Sequence, residues 1–247
     1  MKAVIFNSGL GNRMGEFTNT HHKSMATLKN GETIFHRQIR LLSAEGVKDF
    51  IVTTGPFEEQ LKAQAADFPE LNFTFVRNSI YDKTNYIFSM HLARDYMIGN
   101  DLIFLHGDLV FNRKLVHDVL NCSDPNTATV NFKKALPEKD FKGRVKDGKV
   151  LEVSINIFDE DCFAFQPFYK MDKETAFAWI EKVKEFVEKN EVKCYAENAL
   201  NEIFADLNVR AFSYEDYYID EIDNLDDYAR VTAEILPFDE ADAKIFG

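Results

Sequence analysis

Four short β-rich runs, Lys2–Asn7, Asp49–Thr54, Asn72–Arg77 and residues 101–106, alternate with stretches whose apolar residues recur at helical spacing. The helical stretches are residues 33–45, 57–66 and 83–97; in the last, Tyr86, Ile87, Met90, Ala93 and Met97 share one face. Alternation of this kind predicts a doubly wound, mostly parallel mixed α/β sheet, Rossmann-like, with ligands at the carboxyl ends of its strands. The glycine-containing stretch after the first run falls at such an end.

Beyond Asp108 the rhythm changes. Residues 115–120 read as a short helix, and 127–133, 143–146 and 149–155 as successive strands, the last two joined by an Asp147-Gly148 turn. A long amphipathic helix over 172–189 follows, with Ala176, Phe177, Ile180, Val183 and Val187 on one side. Then come a shorter helix near 197–206, a strand at 209–214 and a closing helix at 225–236. No repeat or Pro/Gly-rich linker interrupts the chain, so residues 1–247 are expected to form one domain, with a small β-containing lobe at about 134–200 as an insertion.

At 247 residues and 45% hydrophobic content, the chain can bury a sizeable core. No stretch approaches the roughly 20 apolar residues of a membrane span, and the first residues lack a signal-peptide pattern; no membrane association and a cytoplasmic location are the expectation. Cys122, Cys162 and Cys194 lie far apart without paired histidines, which argues against a zinc site or a disulfide framework. A net charge of −12 argues against nucleic acid as a partner, while leaving room for a small anion at a local cation cluster.

Arg13 and Lys23 are such a cluster, in the stretch FNSGLGNRMGEFTNTHHKSM (residues 6–25). Gly9 and Gly11 allow backbone N–H groups to approach an oxygen anion, and a helix start behind them would add its positive end. The stretch is neither a Walker A loop nor GxGxxG, since Met14 stands where the third glycine belongs. On spacing alone, a phosphate loop and a plain βα turn fit equally. Asp108 taken alone reads as a turn or cap residue, and the histidines form no metal-spaced pair; His106 fits buried strand packing.

Taken with their surroundings, these residues resemble a known family. Gly9-x-Gly11-x-Arg13-Met14 with downstream Lys23 is similar to the GxGxR(L/M)…PK signature of the sugar-nucleotidyltransferase superfamily, with Asn7-Ser8 for the usual Ala-Ala and His22 for the usual proline. Residues 78–90, NSIYDKTNYIFSM, resemble the N-x-x-Y-x-x-x-N-x-x-x-S-(L/M) stretch of bacterial CTP:phosphocholine cytidylyltransferases and their phosphonate- and phosphoamide-using relatives. Asp108 after residues 102–107 and the segment Glu221-Ile222-Asp223-Asn224 complete the series in the family's order.

The resemblance implies transfer of CMP from CTP to a small phosphorylated or phosphonylated amine or amino alcohol, with release of pyrophosphate. Phosphocholine leads, followed by aminoethylphosphonate or phosphoethanolamine. It implies Arg13 and Lys23 as catalytic cations and Asp108 and Asp223 as ligands of Mg²⁺. Leu10, Gly11, Gly55, Asn78, Asn85 and Ser89 would bind the nucleotide, capping and packing being the other reading of the last two. Lys139 and Lys142, on an exposed connection, and Tyr169, Tyr195 and Glu197, with Phe163, Phe165 and Phe168 nearby, would form an acceptor pocket; core packing is the alternative for the aromatics. Lys170 is a further candidate for an acceptor phosphate. Two other readings are a sugar-1-phosphate nucleotidyltransferase and a catalytically silent nucleotide-binding protein of the same fold. A monomer or a homodimer is compatible with the chain.

Overall fold

The computed structural model describes residues 1–247. The first half follows the alternation: β1 (Lys2–Asn7), α1 (Ile34–Ala44), β2 (Asp49–Thr54), α2 (Glu58–Ala65), β3 (Asn72–Arg77), α3 (Tyr86–Met97) and β4 (Leu102–His106). Local chemistry sets the helix starts. The Thr33 hydroxyl accepts from the His36 N–H at 3.1 Å ahead of α1, and the Asn85 side chain accepts from the Tyr86 N–H at 2.7 Å ahead of α3. The chain continues through β5 (Leu109–Phe111), α4 (Arg113–Asn121), β6 (Thr127–Asn131), β7 (Lys142–Lys146), β8 (Lys149–Ser154) and β9 (Cys162–Met171). It ends with α5 (Lys173–Glu188), α6 (Ala196–Asn201), β10 (Arg210–Ser213), β11 (Ile219–Glu221), α7 (Leu225–Glu234) and α8 (Leu236–Phe246).

Nine strands form one sheet in the order β3-β2-β1-β4-β9-β6-β10-β8-β7, and β5 and β11 form a separate two-stranded ribbon. β1 to β4 are parallel neighbours, whereas β9 runs antiparallel to both β4 and β6. Successive residues of β1 feed opposite faces. Val4 and Phe6 join Met90, Met97, Trp179 and Ile180 of α3 and α5 on one face; Ala3 and Ile5 join Phe35, Ile39, Leu61 and Val116 of α1, α2 and α4 on the other. The sheet is thus covered on both sides, as the hydrophobic runs of β1, β2 and β4 require.

Three parts differ from the sequence expectation. Residues 162–171, taken for an aromatic pocket, are the central strand β9. Pro167 disguises it, and the structure accommodates that proline at a register shift where Ala128 faces Tyr169 but Thr129 faces Gln166. The stretch 134–200 supplies β7, β8 and β9 to the main sheet and α5 and α6 to its face, so it is continuous with the domain body. The chain closes with a further helix: Pro237 opens α8, whose Asp242 accepts from Asn112 Nδ2 at 3.1 Å and the Lys114 N–H at 3.2 Å, capping α4. No helix is long and apolar enough to cross a membrane.

Candidate active site

The carboxyl ends of β1 and β4, the β5–β11 ribbon and the 139–141 connection enclose a cleft of ≈390 Å³. Its floor starts at Ser8-Gly9-Leu10-Gly11. Gly11 is left-handed (φ 66°, ψ 27°), and a Cβ there would lie 2.9 Å from the Cβ of Lys23. Only glycine lets the loop close against that lysine. Residues 12–19 then form 3-10 turns broken at Gly15, so the helix start expected behind the loop is not an α-helix and brings little axial dipole. Buried Met14 packs with Ile222, Val231 and Ile235 in a third core cluster, which anchors the loop to β11 and α7.

The four residues expected to act on the triphosphate and metal meet at one point. Antiparallel pairing of Leu109 with Glu221 sets the Asp108 turn beside Ile222, whose N–H donates to the Asp108 carbonyl at 3.1 Å. Lys23 Nζ lies between the two aspartates, bonded to Asp108 Oδ2 and, at 2.8 Å, to Asp223 Oδ1. Arg13 extends the chain of ion pairs, 2.8 Å from Asp223 Oδ2, with its side chain mostly exposed. Burial opposes the Lys23 charge, but Asp108 and Asp223 outweigh it and raise its pKa, so it stays protonated. For Asp108, burial acts upward, and Lys23 and His106 bring it below the usual carboxylate range.

Beside this cluster stands a second acidic layer that only the motif comparison hinted at. Glu221 alternates with Asp223 along the end of β11; burial, with Asp108 and Asp223 behind it, pushes its pKa up to about 7 despite His106 Nδ1 at 3.4 Å. Burial works against the His106 charge, yet Glu221, Asp108 and Glu197 raise it. His106 lines the cleft and faces Glu221, so it is more than strand packing. Asp140 completes the layer, its pKa raised by burial and then by Asp223, Asp220 and Asp227.

This donor set fits a hard divalent cation. Ligand atoms of His106, Asp108 and Glu221, and of Asp140, Glu221 and Asp223, lie within 4.8 Å of one another, and Asp108 Oδ1 is buried without any hydrogen-bond partner.

The remaining expected residues divide. Leu10, Gly11, Asn85, Lys139 and Tyr195 line the cleft, with Tyr86 and Phe141, which were not singled out. Asn78, Ser89 and Gly55 stand behind it: Ser8 Oγ meets Ser89 Oγ at 2.6 Å, Asn78 Nδ2 donates to Ser89 Oγ at 3.0 Å, and a Cβ on Gly55 would come within 2.3 Å of the Ser8 carbonyl. They hold the loop in place from below.

Lys142 corrects the expectation of an exposed lysine. It is fully buried as the first residue of β7, donating to the Pro137 carbonyl at 2.9 Å and lying 4.0 Å over the Phe158 ring. Tyr169 and Glu197 are likewise buried, bonded to each other at 2.9 Å, and neither lines the cleft. Phe165 and Phe168 are core, Phe163 packs on Phe132, and Lys170 donates to the Cys122 carbonyl beside the start of β4, away from the site.

Residues 3–140, more than half of the chain, match the model of the MobA-like NTP transferase domain. The chain belongs to that family. This NTP transferase is 24% identical to the choline-phosphate cytidylyltransferase of Haemophilus influenzae over 96% of its own length and 98% of the relative's. It is 27% identical to the CTP:phosphoglutamine cytidylyltransferase of Campylobacter jejuni over 62% of each chain. Among solved structures, the CTP:phosphocholine cytidylyltransferase of Streptococcus pneumoniae superposes with a TM-score of 0.78 at 21% identity, covering 95% of this chain and 98% of that one. That likeness establishes the fold.

Proposed function

We propose that this NTP transferase moves CMP from CTP to a small acceptor bearing a phosphate or phosphonate and a positively charged amine. Phosphocholine leads, and aminoethylphosphonate and phosphoethanolamine follow. One observation carries the reading: Arg13, Lys23, Asp108 and Asp223 form a single interlocked cluster at the end of the cleft that also holds the glycine loop.

An acceptor oxygen attacks the α-phosphorus, the bond to the β-phosphate breaks, and pyrophosphate leaves. The acceptor phosphate is already an anionic nucleophile, so no general base is required. The obstacle is repulsion between anions, which preorganised cations relieve. Lys23, fixed between two carboxylates, suits the charge that builds on the transferring phosphate, and exposed Arg13 is free to swing from Asp223 onto the outer phosphates. Asp108 and Asp223, with Glu221 adjacent, would hold Mg²⁺, which when bound neutralises triphosphate charge. Along the adjoining cleft wall Tyr86, Phe141 and Tyr195 suit an ammonium group. Lys139 suits the acceptor's phosphate.

Pyrophosphate release is to be measured with Mg²⁺ for four nucleoside triphosphates crossed with phosphocholine, phosphoethanolamine, aminoethylphosphonate and several sugar 1-phosphates. Turnover with CTP and one of the amine acceptors is the expected result. Turnover confined to sugar phosphates, or silence over the whole grid, overturns the reading.

A further inference from the structure

Glu197 brings a negative charge to a place where hydrogen bonding alone does not call for one. It sits in the first turn of α6, 1% exposed, and accepts from the hydroxyls of Tyr86 and Tyr169. No Lys, Arg or His nitrogen comes within 4.0 Å of its carboxylate. A buried carboxylate without a cation costs several kcal/mol, a cost that a neutral glutamine would avoid.

The two tyrosines face different ways. Tyr169 points into the core, its ring centroid 5.3 Å from that of Trp179. The Tyr86 ring is part of the cleft wall, 4.8 Å from His106 and 6.4 Å from Tyr195, which in turn lies 5.0 Å from Phe141. The carboxylate is thus directly behind the aromatic end of the cleft. A phenol that donates to a carboxylate gains electron density over its ring, and a ring face that is more negative attracts a cation more strongly. The charge itself adds to this where little water intervenes to screen it.

We infer that Glu197, acting through Tyr86, is the positioning residue that makes the acceptor end of the cleft select a positively charged amine over a neutral group of the same shape. The inference rests on the acceptor reading proposed above.

The test compares phosphocholine with 3,3-dimethylbutyl phosphate, in which a neutral tert-butyl group replaces trimethylammonium, in the wild-type chain, Glu197→Gln and Tyr86→Phe. The wild-type preference for the charged acceptor is expected to fall about tenfold in Glu197→Gln, mainly through the KM of phosphocholine, with the neutral acceptor and CTP little affected. Tyr86→Phe, which keeps the ring and removes its link to Glu197, moves the ratio in the same direction; it decides alone where Glu197→Gln does not fold. Equal losses for both acceptors overturn the inference and leave Glu197 a structural pin. Failure of the wild-type chain to use either acceptor overturns the acceptor reading instead. Calorimetric binding of tetramethylammonium to wild type and Glu197→Gln then judges Glu197 by itself, equal affinities counting against it.

Discussion

At the scale of single residues, the proposed mechanism assigns the chemistry to two aspartates and two cations, and these assignments have distinct expected failures. Asp108→Asn keeps the backbone bond from Ile222 but removes one of the two charges holding Lys23. Turnover is expected to fall by at least about 10²-fold with an unchanged circular dichroism spectrum, and near-normal pyrophosphate release would take Asp108 out of the site. Lys23→Met is expected to lower kcat by a similar factor while weakening CTP binding less, because a charge felt most in the transition state acts on rate before affinity. His22 makes a separate prediction about stability. Its backbone (φ −67°, ψ 143°) has the extended shape that proline enforces, which explains how a histidine stands where the family pattern has proline. Burial lowers its pKa from 6.5 to about 4. The unfolded chain therefore binds the extra proton first, so stability is full above pH 6.5 and is lost as the pH falls through about 4. The loss attributable to this group is ~3 kcal/mol. His22→Asn, whose side-chain oxygen can replace Nδ1 as acceptor for the Ser24 N–H, should flatten the acid limb of a denaturant-derived stability profile; an unchanged profile would assign the limb to other groups.

At the scale of elements, caps and connections decide what happens. Asp242 of α8 bonds the start of α4 from a distant part of the chain, so Asp242→Ala should lower stability by about 1–2 kcal/mol and leave kinetics intact, readable as a lower thermal midpoint with unchanged kcat. Lys142→Ala should act through the 137–141 connection that its ammonium fastens, lowering the melting temperature and raising acceptor KM together. Lys139→Ala should raise acceptor KM alone. A Lys142 variant with normal melting and a selective KM effect would return that residue to direct substrate contact. What the sequence made legible follows the same division. β1 to β4 and their helices were readable because period-2 and period-3.6 patterns are local. Gly11, Arg13, Lys23, Asp108 and Asp223 were readable because an ordered motif series marks them. β9 was not, since Pro167 is tolerated only through a bulge set by its neighbour β6. β5 and β11, of three residues each, were too short to read. The burial of Lys142 and Glu197 escaped too, because a charged side chain looks alike in sequence whether water or a buried partner satisfies it.

At the scale of the molecule, a net charge of −12 and the acidic layer of Asp108, Asp140, Glu221 and Asp223 oppose a nucleoside triphosphate, while Lys23 is already engaged by two carboxylates. Calorimetric CTP affinity should thus fall at least about tenfold when divalent cations are chelated, and equal affinity with and without them would argue against a shared metal. The parallel strands β1 to β4 form one half of the sheet and the strands beyond β9 the other, joined along a strand that runs against both neighbours. The excursion from 132 to 161 leaves β6 and re-enters β9 at adjacent points, since Asn131 pairs with Ala164. It carries Lys139, Asp140, Phe141 and Ile155 of the cleft wall. Transplanting its counterpart from a related transferase should therefore shift acceptor KM through Lys139 and Phe141 while Tyr86 and Tyr195, outside the segment, keep their places in the wall; an unchanged acceptor KM would take the excursion out of acceptor binding.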